Sequence, residues 1–263
     1  MTSSPPDKPL AIGVLGASGA MGREVVSALG EGTVLGAAVV RPTSELVGKV
    51  VPGHDGRFVG LGPDAFEGCD VVVDFSLPAG LHDALPFLVG LPLVSGTTGV
   101  EEETERRLRA HATQAPLLQA ANFSAGVTLL LDLVARAAAA LPDADLEVVE
   151  AHHRRKRDAP SGTALALVDA LESSRDHTRR VHGRQGAVGA RPHDEVGIHA
   201  IRGGDVVGDH TVWFLADGER LALQHIASSR RTFAAGALRA ARWIHGRGPG
   251  SFTMRSVLGL DAG

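Results

Sequence analysis

A single cysteine, Cys69, stands in this 263-residue chain, so no internal disulfide framework can form, and the count suits a reducing compartment. No apolar run reaches the ~20 residues that a membrane-crossing helix needs. Residues 126–141 are apolar but carry Asp132 and Arg136. The polar, proline-rich start, Thr2 to Pro6, lacks the basic region and apolar run of a signal peptide, so a cytoplasmic location is expected. An excess of positive charge is missing too. The formal charge of −4 gives no global pull towards nucleic acid or an anionic membrane, and the basic run 154–157 calls for a local explanation. No aromatic residues interleave with that run, which argues further against a nucleic-acid surface. A zinc site is also disfavoured, because the histidine pair 152–153 has no recognisable third ligand beside it. What the chain does have is a hydrophobic content of 44%, enough for a real core in one large soluble domain or two small ones.

The first half reads as a nucleotide fold. Residues 10–15 are a continuous apolar run that ends in Gly16-Ala17-Ser18-Gly19-Ala20-Met21-Gly22 and passes into a helical stretch, 23–29. Strand, glycine turn and helix follow one another as in a dinucleotide site, where the turn is tight and the backbone must approach a pyrophosphate at the helix N-terminus. The spacing is G-x-x-G-x-x-G, looser than the strict fingerprint, and a glycine turn that only packs a helix on a strand would look the same. A second strand, 34–40, ends in Val39-Val40-Arg41-Pro42. The acid that would hold the ribose hydroxyls is absent there, and Arg41 tilts the site towards NADPH, whose 2′-phosphate an arginine neutralises; a solvated loop arginine is the other reading.

Further strands at 71–75, 91–94 and 116–121 alternate with helical stretches at 80–89 and 101–113, so a parallel, doubly wound sheet is expected. Ligands bind at the carboxyl edge of such a sheet. Phe75, the turn Ser95-Gly96-Thr97-Thr98-Gly99 and Ala121-Asn122-Phe123 all fall at that edge, where small hydroxyl and glycine residues leave room for a nicotinamide and its ribose or serve simply as turn chemistry. Cys69 precedes a strand, away from the ligand edge. It reads as a packing residue, which argues against a dehydrogenase working through a thioester.

The second half follows another pattern. A long Ala/Leu-rich helix, 126–141, leads to a strand, 146–150; residues 183–193 are rich in glycine, arginine and histidine without periodicity and read as a loop. From Glu195 alternation returns, with Val196, Ile198 and Ala200 on one face, then 211–215, a turn at Asp217-Gly218 and 220–226. These read as antiparallel strands in an α+β arrangement with a mixed sheet. One open sheet face needs a cover, either the long helices or identical subunits. A helix at 232–245 and the apolar tail 257–260 are expected to pack back on the nucleotide domain.

Between the halves lies Glu150-Ala-His-His-Arg-Arg-Lys-Arg-Asp-Ala-Pro-Ser-Gly-Thr163, followed by leucines and a valine at helical spacing. The backbone N–H groups of Gly162 and Thr163, with the hydroxyls of Ser161 and Thr163, sit where a helix N-terminus attracts a carboxylate; Ser161 as a plain N-cap fits equally. His152 and His153 follow a strand and point to opposite faces, so they do not share one task. With an unperturbed pKa of about 6.5, a histidine suits proton donation near neutrality. Lys156 adds positive charge, and Arg154, Arg155 and Arg157 read as a solvated loop.

That long motif resembles the signature of the 4-hydroxy-tetrahydrodipicolinate (dihydrodipicolinate) reductase family of the lysine pathway. The glycine turn 16–22, Ser95 to Gly99, Ala121-Asn-Phe-Ser124 and Arg202-Gly-Gly-Asp-Val-Val-Gly-Asp-His210 resemble family segments in family order. The resemblance implies a Rossmann domain over 8–122, a substrate and oligomerisation domain over 123–231 with an open mixed sheet, and a C-terminal return over 232–263. It implies NADPH or NADH as cofactor, a cyclic dicarboxylate as substrate and a homotetramer; with the charge, hydropathy and ligand spacing read above, no nucleic acid, membrane or metal partner is expected. It further implies His152 as general acid with Lys156 as companion, and His153, Ser161, Gly162 and Thr163 as the dicarboxylate grip. Cofactor contacts fall on Gly16, Gly19, Ala20, Met21, Gly22, Arg41, Phe75, Gly96, Thr97, Thr98, Ala121, Asn122 and Phe123. The departure is Val40, where many relatives carry an acid. A reductase of another cyclic imine and a non-catalytic nucleotide-binding regulator are the alternatives; the second gives no reason for His152, Lys156 and Ser161–Thr163 to occur together.

Overall fold

The structure, a computed structural model, describes residues 8–30, 32–173, 175 and 178–261. The chain divides by its contacts into two compact units. One runs to Ser124 and resumes at Arg230; the other is Ala125–Ser229.

In chain order the first unit opens with β1 (Leu10–Leu15), α1 (Ala20–Ser27), β2 (Thr33–Val40), β3 (Phe58–Gly60), β4 (Val71–Asp74), α2 (Pro78–Ala84), β5 (Leu93–Ser95), α3 (Glu102–Ala112) and β6 (Pro116–Gln119). The second unit holds α4 (Ala125–Ala140), β7 (Asp145–His152), α5 (Gly162–Glu172), β8 (Arg179–His182), β9 (Glu195–Arg202), β10 (Gly208–Ala216) and β11 (Glu219–Ala227). The chain then returns to the first unit with α6 (Arg231–Ile244), β12 (Gly250–Phe252) and α7 (Met254–Leu258).

The first unit is built on a seven-stranded sheet in the order β12-β6-β5-β4-β1-β2-β3, and every pairing is parallel. Strands of such a sheet are covered on both faces and read as continuous apolar runs. β1 is buried at all its positions, as is β4. One core lies under α1 and α6 and takes in Ile12, Val14, Val25, Leu238 and Ile244; the other lies under α2 and α3 and takes in Leu81, Leu88, Leu93 and Leu108. Cys69 belongs to the second core. Its Sγ fills the space above Gly13 and Gly36 on neighbouring strands, and burial, with Asp70 beside it, pushes the thiol up to about 11. It packs, and at that value it is no nucleophile near neutrality.

α3 is held by its charges: Glu102, Glu103 and Glu105 in the first turn, Arg109 and His111 in the last, each sign at the favourable end of the helix dipole. The short strands β3 and β12, which extend the sheet at its two edges, have no counterpart in the sequence reading. α6 presents Ala234, Gly236, Ala237, Ala240 and Ala241, all buried, to the sheet. These small residues allow a close approach, and at Gly236 a Cβ would collide with the carbonyl oxygen of Phe123.

The second unit is a five-stranded sheet in the order β11-β10-β7-β9-β8. α4 and α5 cover one face, and their Leu130, Val134, Leu167 and Leu171 pack on Leu146, Val148, Val212 and Phe214. On the other face Ile201, Trp213 and Ile226 are exposed. The expectation of antiparallel strands from Glu195 onwards holds for β10 and β11 but not for β9, which runs parallel to both β7 and β8. The reason lies in the connections: α5 lies between β7 and β8, and residues 183–194 form the crossover between β8 and β9, the length a parallel pair demands. That crossover is tied down by Arg184, paired with Glu147 and Glu195, and by Arg191, paired with Asp145 and Glu147.

Gly236→Ala is expected to lower the stability of the protein by ~1–3 kcal/mol through overpacking, read as a lower urea midpoint. An unchanged midpoint would mean that helix and Phe123 are not in close approach.

Candidate active site

β7 sets the second unit's chemistry. Its residues alternate strictly, with Leu146, Val148, Glu150 and His152 buried and the residues between them half-buried. A period of two places Glu150 and His152 on one face. The strand is two residues longer than the sequence reading of 146–150 at its far end, so His152 closes the strand rather than following it, while His153, half-buried, lies just beyond.

Glu150 has no exposed side-chain surface. His152 Nδ1 donates to its Oε2 at 2.5 Å, the Ser161 backbone N–H donates to Oε1 at 3.1 Å, and Arg202 donates to both oxygens at 2.8 and 2.7 Å. Burial alone raises the pKa of this carboxyl, but the bonds from Arg202 and His152 outweigh it and hold it below the ordinary glutamate value. Arg202 comes from β9, where it stands in register with His152, and it also donates to the Asp158 carbonyl at 2.7 Å. On the other side β10 sets His210 opposite Glu150. The His210 ring packs edge-on against His152 at 5.2 Å, and its Nε2 lies 3.2 Å from Ser161 Oγ. Burial, with the charge on His152 next, pushes His210 down to about 4, so it stays neutral across the physiological range.

Ser161 is the N-cap of α5: its Oγ accepts from the Ala164 N–H at 3.2 Å. The capping reading is therefore correct, and the same residue touches both Glu150 and His210. Gly162 and Thr163 form the first turn behind it. Lys156 is three-quarters buried or more and forms an ion pair with the exposed Asp158 at 2.9 Å. Of the candidates on this unit, His152 and Ser161 thus meet in one buried cluster, and Gly162 and Thr163 follow directly on it. Glu150, Arg202 and His210 were missed as functional residues. The alternation that groups Glu150 with His152 was a usable signal; nothing local in the sequence identifies Arg202 or His210 as their partners.

On the first unit the cofactor candidates sit at the carboxyl ends of β1, β2, β4, β5 and β6, which the all-parallel order aligns along one sheet edge. Gly16 has φ of 78° and an added Cβ would lie 2.8 Å from the Phe75 carbonyl oxygen. A Cβ on Gly22 would run into the Gly16 carbonyl. The turn therefore needs glycine for its backbone shape and for helix packing, and it opens α1, which starts at Ala20 rather than at 23. Gly19 is the N-cap, and Ala20, Met21 and Gly22 form the first turn. Phe75 and Phe123 meet edge-on at 5.3 Å, and Gly96 lies against both rings. Buried Asp74 binds the loops behind them: it accepts from the Ser76 N–H at 2.8 Å and from Ser95 Oγ at 2.7 Å. Thr97 Oγ1 donates to the Ser76 carbonyl at 3.2 Å. Thr97, Thr98 and Ala121 line a cavity of 280 Å³ with Val100, Glu105 and Gln119. Asn122 accepts from the Ser124 N–H at 2.8 Å, and Arg41 is exposed at the end of β2. A tight glycine turn at a helix N-terminus, with a recess lined by small residues and the hydroxyls of Thr97 and Thr98 at the same sheet edge, fits a dinucleotide. Among the described residues no group of three or more His, Cys, Asp or Glu side chains is arranged to hold a metal ion, and no helix is long and apolar enough to cross a membrane.

Because the unfolded chain binds a proton on His210 near pH 6.5 and the folded chain only near 4, stability is full above 6.5 and falls as the pH drops towards 4. By pH 5 the loss from this residue is expected to be ~2 kcal/mol. Urea unfolding at pH 7.5 and pH 5 should show a smaller loss for His210→Gln than for the wild type; equal losses would contradict a buried neutral His210.

Comparison with known proteins closes the case for the family. Residues 10–123 match the family model described as dihydrodipicolinate reductase, N-terminus, and residues 126–258 that described as dihydrodipicolinate reductase, C-terminus. A 4-hydroxy-tetrahydrodipicolinate reductase of Acinetobacter baumannii (strain AYE) is 43% identical over 267 aligned residues, covering 95% of this chain and 96% of that protein. One from Thiobacillus denitrificans is 45% identical, covering 95% and 98%. The fold matches that of a dipicolinate-bound dihydrodipicolinate reductase from Paenisporosarcina sp. TG-14, with a TM-score of 0.76 at 23% identity over 93% of this chain and 97% of that one. The chain belongs to the dihydrodipicolinate reductase family.

Proposed function

We propose that this chain reduces 4-hydroxy-tetrahydrodipicolinate to tetrahydrodipicolinate in the diaminopimelate and lysine pathway, with His152 as the proton donor. The observation that carries the assignment of the site is the buried cluster in which His152 stands beside the N-terminus of α5, its ring fixed by Glu150 and packed on His210. It is an oxidoreductase with a Rossmann-type unit, and it serves amino-acid biosynthesis.

When bound, a reduced nicotinamide dinucleotide supplies a hydride to ring C4 of the dehydrated substrate. The residues of the chain account for the rest. Ser161, Gly162 and Thr163 hold a substrate carboxylate at the positive end of α5, where first-turn N–H groups point outward. His153 adds to that grip. His152 donates a proton to the carbon next to the reduced one, and Lys156 stabilises the charge that develops on nitrogen and carboxylate. Gly16, Gly19, Ala20, Met21 and Gly22 seat the pyrophosphate. Phe75, Gly96, Thr97, Thr98, Ala121, Asn122 and Phe123 border the nicotinamide end. Arg41 meets the 2′-phosphate, so NADPH is the better cofactor and NADH the weaker one. Residues 8–122 bind the dinucleotide, 123–231 bind substrate and form the oligomer, and 232–263 return to the dinucleotide domain. The exposed Ile201, Trp213 and Ile226 on the face of the five-stranded sheet opposite α4 and α5 support a homotetramer, and a cytoplasmic location suits its pathway.

Consumption of NADPH and of NADH with freshly generated cyclic substrate tests the reading. His152→Ala is expected to lower kcat about 100-fold, the share of a general acid; wild-type turnover in that variant would remove His152 from the mechanism. Arg41→Ala is expected to lower kcat/KM for NADPH about tenfold, the worth of one charged hydrogen bond, and to leave NADH unchanged. Equal losses with both cofactors would contradict the 2′-phosphate contact.

A further inference from the structure

Glu150 is a fully buried and fully engaged carboxylate. An ionised carboxylate has about four acceptor positions and no donor. Here four N–H groups meet it: His152 Nδ1 at 2.5 Å, the Ser161 backbone at 3.1 Å, and the two arms of Arg202 at 2.8 and 2.7 Å. Arg202 holds the carboxylate as a planar, bidentate pair, and Arg202 itself is held by the carbonyls of Asp158 and Ile201.

We propose that Glu150 is a positioning residue which, held by Arg202, keeps the hydrogen of neutral His152 on Nδ1, so that Nε2 is the nitrogen that exchanges the reaction's proton. The inference rests on the reading of His152 as the acid. An acceptor-only partner at Nδ1 requires the hydrogen to be there in both charge states of the ring. The proton therefore leaves from Nε2–H of the imidazolium, passes to substrate carbon, and leaves the Nδ1–H ring behind. Nε2 is the ring nitrogen turned away from Glu150. It faces Gly208, where any side chain would crowd it: a Cβ there would stand 3.1 Å from Nε2. His210, the other ring against His152, is neutral and does not compete for Glu150. The bond from the Ser161 N–H adds a second consequence. One carboxylate fixes both the proton-donating ring and the start of α5, so the acid and the anion-holding turn keep a constant spacing. A partner that sets tautomer and ring orientation is a recurring need of histidine catalysis.

The test is nitrogen NMR of the full-length, histidine-labelled protein, with the His152 signals identified by their loss in His152→Ala, joined to kinetics of Glu150→Gln. The neutral ring of the wild type is expected to carry its hydrogen on Nδ1. Glu150→Gln is expected to shift that tautomer balance and to lower kcat by about 10- to 100-fold, as loss of such an orienting partner does, with KM little changed. A wild-type ring with its hydrogen on Nε2 overturns the proposal, and this holds even where the variant does not fold. Wild-type kcat in Glu150→Gln, or a rise in KM alone, overturns it as well. Wild-type turnover in His152→Ala instead sinks the acid assignment itself, which separates the two failures.

Discussion

A carboxylate buried without exposed surface tolerates no unfilled acceptor position, and that constraint at Glu150 organises the second unit. Four donors must reach it, and they come from three parts of the chain: β7 itself, β9 and the start of α5. The sheet register and the helix position are tied together by this demand. β9, parallel to β7, sets Arg202 beside His152, and α5 begins behind Ser161, whose N–H points at Oε1. Removing Glu150 would take the shared acceptor from Arg202, His152 and the Ser161 N–H at once, so the cluster acts as a unit.

The first unit meets a different demand. Its glycine turn works by absence of side chains: Gly16 and Gly22 let backbone approach backbone, and Gly96 lets the Phe75 and Phe123 rings close over the β5 end. Asp74 is its counterpart of Glu150, a buried acid that fastens two edge loops. In both units, therefore, a buried carboxylate stands behind the turn proposed to meet ligand and holds it in place. The division suits a reaction in which the cofactor carries the hydride and the protein aligns and protonates.

What the sequence reveals of this molecule follows from how local each feature is. The glycine turn, the buried strands and the capped start of α5 depend on neighbours within a few residues, and all were readable. His152 and Ser161 stood in one motif and meet in space. The direction of β9 was not readable, because alternation reports which face a residue occupies and says nothing of which way the partner strand runs. β3 and β12 are too short to carry a pattern. Arg202 and His210 lie 52 and 60 residues beyond Glu150, so no spacing rule reaches them. Glu150 was within reach: two residues before His152 on a strand, it had to share that face.

The account is tested most directly by a crystal structure of the protein with a non-reactive planar dicarboxylate, pyridine-2,6-dicarboxylate. One ligand carboxylate is expected at the N-terminus of α5, accepting from the Gly162 and Thr163 N–H groups and Ser161, with His152 Nε2 turned towards the ligand ring and Nδ1 still on Glu150. A ligand held away from α5, or a His152 ring flipped so that Nε2 meets Glu150, would contradict it.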